Sequence, residues 1–315
     1  MIMKKQVLLF SLLLFPFMGH AFKQVIDGIK YDLGGDKAKV VWYAEYEGDI
    51  IIPPTVEYGN ITYTVNCIDR AFTSCDKVTS VTLPNTIVSI TQYSLAGTSI
   101  TSITIPESVT NLEGYVFQGC HSLETVVLPS TLGTIKKYTF VSCTALKEIE
   151  IPKTVTTIEE RAFEGCSSLT SVVIPESVTT IGQLAFYESG LVSVAIMGKT
   201  TLGSSAFRSS VLDVYCFADT VLKAEHGTFT RDFIKMQSTL HVPAALVDAY
   251  KETDPWNYFK YVVPLKDGDP QSTGIDELHS QENSTKKTCY NLAGQKVNNP
   301  TKGLFVVEGK KIVVK

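Results

Sequence analysis

Ile158–Thr180, IEERAFEGCSSLTSVVIPESVTT, is a unit that much of the chain repeats. Its skeleton is an aromatic after a small residue, then Gly-Cys or an equivalent, then Leu-x-x-Val-x-Ile-Pro-x-x-Val-x-x-Ile. Phe117, Phe140, Phe163 and Phe186 stand 23 residues apart, with Phe72 and Leu95 before them and Phe207 and Phe229 after. Pro84, Pro106, Pro129, Pro152 and Pro175 keep the same beat. One strand and one irregular turn cannot bury their own apolar face. A period of 22 to 23 residues therefore predicts a solenoid in which each coil stacks on copies of itself.

Within one coil, Leu169, Val172 and Ile174 form the inward set, and Ser171 and Val173 point outward, as the period of a strand requires. Pro175 has no backbone donor, so the strand should stop there. Val178 and Ile181 supply a second short inward run, and Ala162-Phe163 plugs the far side. With coils roughly 4.8 Å apart, about eight of them make a core on the order of 40 Å long. The expected ladder is parallel on one face and irregular on the other.

Seven cysteines fall in the chain, and Cys75, Cys120, Cys143 and Cys166 share one repeat position. A position that recurs with the coil reads as core packing by a small apolar thiol. Stacking would bring neighbouring Cα atoms to roughly 5 Å, but parallel Cβ vectors disfavour a disulfide. No histidine shares the period, so no metal site is expected.

With 315 residues, 44% hydrophobic and 19% charged, the chain can bury a sizeable core. Its net charge of −4 is uneven: residues 1–21 carry +2 and residues 286–315 carry +6, leaving −12 on residues 22–285. Nucleic acids and heparin need Lys and Arg to neutralise their anions, so an acidic solenoid is a poor partner for them.

The AFxGCxxLxxVxIPxxVxxI units, from about Ile68 to Val263, resemble the BspA-like leucine-rich-repeat proteins, found mainly on surfaces of Bacteroidetes and some other microbes. The resemblance implies a leucine-rich-repeat solenoid with a parallel β-ladder on one face, irregular or short helical turns on the other, and a capping unit at the end. It also implies adhesion, to host matrix proteins or to other cells. Local departures are Leu95 for Phe, Gly97-Thr98 and Ser189-Gly190 for Gly-Cys, and Met197-Gly198 where Ile-Pro is expected. They make the second and sixth coils irregular.

Residues 1–21 have a basic start at Lys4-Lys5, an apolar run from Val7 to Met18 and then Gly19-His20-Ala21, the pattern of a secretory signal peptide. The apolar run is too short to span a bilayer, and no other stretch is apolar enough for a transmembrane segment. Residues 22–66 alternate in short segments between Gly, Asp and Asn, predicting antiparallel strands that cap the first coil. Repeats fill residues 67–243. Residues 244–264 resemble the family's closing unit, with a short helix at Ala244–Lys251 and a Trp at Trp256. Residues 265–288 are polar, as a linker is. Residues 289–315 predict three short strands in a small β module, whose pattern resembles the sorting tails of type IX secretion.

No motif for catalysis stands out: no Ser-His-Asp order, HExxH, paired-carboxylate motif or nucleophile elbow. No cofactor is implied. What remains is the outward side of the ladder, a broad surface of the kind solenoids use for binding. Most outward positions are Ser, Thr or Val, which suit a solvated strand. The exceptions are Glu148 and Glu150 on one rung, and Asp213, Tyr215 and His241 near the C-terminal end. These five are the candidate ligand contacts. The expected function is that of an exported, non-enzymatic protein at the cell surface or in the medium, a periplasmic place being open as well. Its partner would be a protein or glycan, a host matrix protein among the possibilities. The alternative is an architectural spacer of the envelope.

Overall fold

The computed structural model describes residues 21–270; beyond these it places only the strands Cys289–Asn291, Lys296–Val297, Gly303–Val307 and Lys310–Val314. The chain divides into two units, 1–272 and 273–315. Residues 1–20 of the expected signal peptide, and 271–288 of the expected linker, lie outside the described residues.

The first unit is a parallel solenoid of about 10 turns. Its axis is set by the aromatic plug: Phe117, Phe140, Phe163, Phe186, Phe207 and Phe229 stack ring on ring, 4.9 to 5.9 Å between successive centroids. Burying each ring contributes about 1.5–3 kcal/mol, and stacking adds about 0.5–1.5 kcal/mol per pair. Leu169, Val172, Ile174, Val178 and Ile181 are all buried beside the stack, and Ser171 is exposed, the alternation the sequence predicts.

Three hydrogen-bonded columns run along the stack. The outer ladder joins Ser171–Ile174, Ser193–Ile196, Asp213–Cys216, Thr239–Val242 and Tyr261–Pro264 in one parallel sheet. Earlier rungs pair in shorter groups, Ser102–Thr104 with Thr125–Val127 and Gly48–Ile51 with Val78–Thr82. The rung expected at Glu148 and Glu150 keeps the alternation of exposed Glu and buried Ile149 and Ile151 but forms no strand. A Lys-Glu-Ile-Glu run has little strand preference. The second column is made of two-residue strands such as Thr134–Ile135, Thr157–Ile158 and Thr180–Ile181.

The far side is turn, with no helix in the coils that run up to Phe229, and it is tightly bonded. The N–H groups of Phe140 and Phe163 donate to the carbonyls of Ala162 and Ala185, at 2.8 and 2.7 Å. Those of Tyr138 and Arg161, two residues earlier, donate to Glu160 and Gln183; those of Ser142 and Gly165, two residues later, donate to Glu164 and Tyr187. Residues on either side of each aromatic adopt positive φ to make this possible. Before the aromatic stand Arg70, Tyr93, Tyr115, Tyr138, Arg161, Leu184 and Ser205, with φ between 49° and 62°. After it stand Ser74, Gly97, Gly119, Ser142, Gly165 and Glu188. The left-handed region costs a non-glycine residue about 1–2 kcal/mol, which the hydrogen bond to the next coil offsets.

That register revises two sequence alignments. Ser189 occupies the Cys position and Glu188 the Gly position, because Phe186 leads them as Phe163 leads Gly165-Cys166. Ile196 pairs with Ile174, so Met197 alone takes the place of proline.

The N-terminal segment is not wholly antiparallel as expected. Phe22–Ile26, Ile29–Gly34 and Lys37–Val41 are antiparallel neighbours, and Thr55–Tyr58 is antiparallel to Ile61–Asp69. Lys37–Val41, however, runs parallel to Ile61–Asp69, and Gly48–Ile51 runs parallel to Val78–Thr82. A parallel solenoid offers its first coil a parallel edge, so the covering strands continue the ladders. Tyr46 packs on Phe72, 4.9 Å between rings, and Leu95 fills the plug position between Phe72 and the stack that begins at Phe117.

At the other end a helix, Arg231–Gln237, interrupts the last coil, and a short helix follows at Val247–Glu252. Trp256 is fully buried against Phe229, 5.4 Å between rings. Its indole N–H donates to the Leu222 carbonyl at 2.9 Å, while the Leu222 N–H donates to the Tyr250 hydroxyl at 3.1 Å. One exposed peptide edge is thereby satisfied on both sides. Residues 265–270, counted with the linker from sequence, are instead held: the Leu265 N–H donates to the Val242 carbonyl at 2.8 Å.

In the second unit the four strands form one antiparallel sheet. The first of the three expected strands is split, Cys289–Asn291 pairing with Lys296–Val297.

Candidate functional site

Parallel register puts equivalent residues of successive coils side by side. Asp213 lies opposite Thr239, and Tyr215 lies opposite His241. The phenol and imidazole rings stack 4.2 Å apart at 16°. His241 Nε2 sits 3.0 Å from Asp213 Oδ1, and its Nδ1 lies 4.0 Å from Asp269 Oδ2. The imidazole is 14% exposed, and Nδ1 is buried without a hydrogen-bond partner. Burial first, then the carboxylates of Asp213 and Asp269, push the Tyr215 phenol up to about 12.

The structure thus brings Asp213, Tyr215 and His241 together and adds Asp269, which sequence reasoning missed. Asp269 lies in the segment assigned to the linker, and no repeat marks it. Its carboxylate accepts from the Lys266 N–H at 2.7 Å, which fixes the turn that carries it over the ladder. Glu148 and Glu150 are exposed on the same face but stand three coils earlier, so the five residues are two stations and not one site. A third acidic point is Asp49 on the first rung, which accepts from the Ser80 and Thr79 hydroxyls at 2.7 and 3.0 Å and is held below the usual carboxylate range by them.

Chemically the carboxylates of the C-terminal cluster can accept hydrogen bonds, including those of an ammonium or guanidinium group. Neither imidazole nitrogen is paired with a hydroxyl or thiol, the arrangement that activates a nucleophile. Among the described residues no group of His, Cys, Asp and Glu could hold a metal ion. The six described cysteines are buried and free. Cys143 and Cys166 donate to the carbonyls of Phe117 and Phe140, at 3.1 and 3.2 Å. Burial pushes the Cys166 and Cys216 thiols up to about 12.

A second surface feature escaped the sequence reading. Tyr93, Tyr115 and Tyr138, each two residues before the plug position, stack on the turn side at 4.8 and 4.6 Å. Arg161 continues the column, 5.8 Å over Tyr138. Three tyrosines in a row at one repeat position were the available signal.

The profile of the BspA type leucine rich repeat region matches residues 56–143 and 133–240 in six copies, which is more than half of the chain. The chain belongs to the BspA-type leucine-rich-repeat family. Solved leucine-rich-repeat structures are similar at low identity. One is a leucine-rich repeat protein from Bacteroides ovatus, 22% identical, TM-score 0.48, over 78% of this chain and 77% of that one. Another is a leucine-rich repeat protein from T. pallidum, 24% identical, TM-score 0.41, over 62% and 83%. A leucine rich cell surface protein from Faecalibacterium prausnitzii is 17% identical, TM-score 0.34, over 82% and 97%. No curated protein matches the chain. Among the described residues no helix is long and apolar enough to cross a membrane.

Proposed function

We propose that this BspA-type protein is an exported, non-enzymatic binding protein that engages its partner through the outward face of the ladder. The observation that carries the reading is the cluster of Asp213, Tyr215, His241 and Asp269. These side chains break the Ser/Thr/Val pattern of the face at one place, where a pure spacer has no use for an aromatic and paired acids. Membership of a family of bacterial surface proteins supports a binding or scaffold role. Export at residues 1–21, a linker beyond 270 and a terminal module at 289–315 complete the proposed organisation. The spacer reading draws on a different observation, the plain rungs Ser80, Thr82, Ser102 and Thr104 at the N-terminal end.

The test is binding of residues 22–270 to an array of matrix proteins and glycans, beside a variant with Glu148, Glu150, Asp213 and Tyr215 changed to Ala. Saturable binding that the variant loses is the expected result. Binding retained by the variant would move the site off this face, and no binding by either protein would favour the spacer.

A further inference from the structure

The outward positions of the ladder are acidic or neutral apart from one imidazole, His241. From the first rung to the last they are Asp49 and Ile51, then Ser, Thr and Val pairs, Glu148 and Glu150, small residues again, Asp213 and Tyr215, Thr239 and His241, and Tyr261 and Val263. No Lys or Arg stands at any of them. Of the lysines nearby, Lys147 meets Glu124 at 2.6 Å and Lys199 meets Asp219 at 2.9 Å, Lys260 lies 5.0 Å over the Tyr261 ring at the last rung, and Lys153, just after the proline that ends its rung, is exposed. Between the two acidic stations lie only small or β-branched residues, Ser171 exposed, Val173 and Ser193 half-buried and Ala195 buried. The three coil steps between the stations follow the Phe stack, whose centroids there are 4.9 to 5.2 Å apart.

We propose that this face receives an extended cationic segment of a protein partner, laid along the solenoid axis, with basic side chains at i and i+4. Three coil steps come to about 15 Å, and an extended chain advances about 3.3 Å per residue, so about four residues bridge the stations. Side chains at i and i+4 of an extended segment share one face. One basic group meets Glu148 and Glu150, which are exposed, and the other meets Asp213, whose side chain is 40% exposed and whose Oδ1 lies 3.0 Å from His241 Nε2. Potentials of opposite sign steer and register such a pair more than they tighten it, so the contact is salt-sensitive. The inference rests on the binding reading above and specifies the class of partner.

The probe is a fluorescent synthetic peptide, acetyl-TRTVTRT-amide, with a twin in which both Arg are Glu, titrated against residues 22–270 by polarisation. The expected result is saturable binding of the Arg peptide alone, weakened about tenfold between 50 and 200 mM salt and about tenfold by the double change Glu148→Gln and Glu150→Gln. Both glutamates are exposed, so that variant should keep its melting temperature, and Asp213→Asn serves as the second station's variant. Equal binding of the Arg peptide by wild type and both variants would overturn the proposal, as would binding of the Glu twin. Should the array yield a ligand that the quadruple variant loses while the Arg peptide does not bind, the cationic segment is excluded and the binding face stands.

Discussion

Phe163 and Glu148 are the sharpest contrast at the scale of single residues. Phe163 is fully buried between two other rings, so Phe163→Ala should leave a void and cost about 3–5 kcal/mol. Glu148 is exposed, and Glu148→Ala should shift stability by less than about 0.5 kcal/mol. Thermal melts of the two variants check this, and equal midpoints would reverse the inward and outward assignment. The described thiols make a second case: in a Cys289→Ser protein, a thiol reagent should label essentially nothing until denaturant is added. Fast native labelling at Cys120, Cys143 or Cys166, located by peptide mass spectrometry, would mean that their column opens to solvent. Both the plug and the thiol column were readable in sequence, because a buried site tolerates few residue types and so repeats visibly. The positive-φ column was not, since Arg, Tyr, Leu and Ser all occupy it and backbone sign leaves no mark on such side chains. Asp269 was hidden for another reason: its role comes from where the chain folds back, beyond the last repeat.

For the coil as an element, the contact between neighbours sets the tolerance. A Cβ on Gly190 would lie 2.1 Å from the Ser167 carbonyl oxygen, whereas one on Gly133 would meet nothing within 4 Å. Gly190→Ala should therefore destabilise by several kcal/mol or prevent folding, and Gly133→Ala should be neutral or slightly stabilising. Denaturant unfolding of the two variants measures the difference; a mild Gly190→Ala would show that the sixth coil can move away from the fifth. The same closeness explains why sequence alone misjudged the cap. Alternating segments with tight turns say that strands form, but the direction of pairing is decided by the edge they must cover. That edge is the parallel ladder that starts at Ile61–Asp69 and Val78–Thr82. Likewise the second column was legible as the spacing of Val178 and Ile181, yet its strands are only two residues long, too short for a propensity signal.

The first unit, taken as a whole, has one continuous core whose ionisable members must stay neutral. Thiols in an unfolded chain ionise near 9.0 and phenols near 10.0, while burial pushes Cys166, Cys216 and Tyr31 up to about 12 in the fold. The unfolded chain thus releases its protons first. Stability from these groups is complete below about pH 9 and is lost as pH rises toward about 12, at about 1.4 kcal/mol per pH unit for each fully buried thiol. The melting midpoint should fall between pH 8 and pH 10.5, and a flat profile would contradict the burial of these groups. The aromatic stack needs both closures, so Trp256→Ala should cost about 3–5 kcal/mol, and its loss should appear first as hydrogen exchange in the last coils. The helix Arg231–Gln237, finally, sits between two residues, Phe229 and Thr239, that keep register with the coil before: Phe207 bridges Phe229, and Asp213 pairs with Thr239. That corner thus takes a longer segment, ten positions from Phe229 to Thr239 against eight from Phe163 to Ser171, without disturbing the columns on either side. Ile234 anchors that segment in the core, and only Arg231, Asp232 and Lys235–Gln237 face outward, so grafted side chains would be displayed there on a helix whose buried face must be kept.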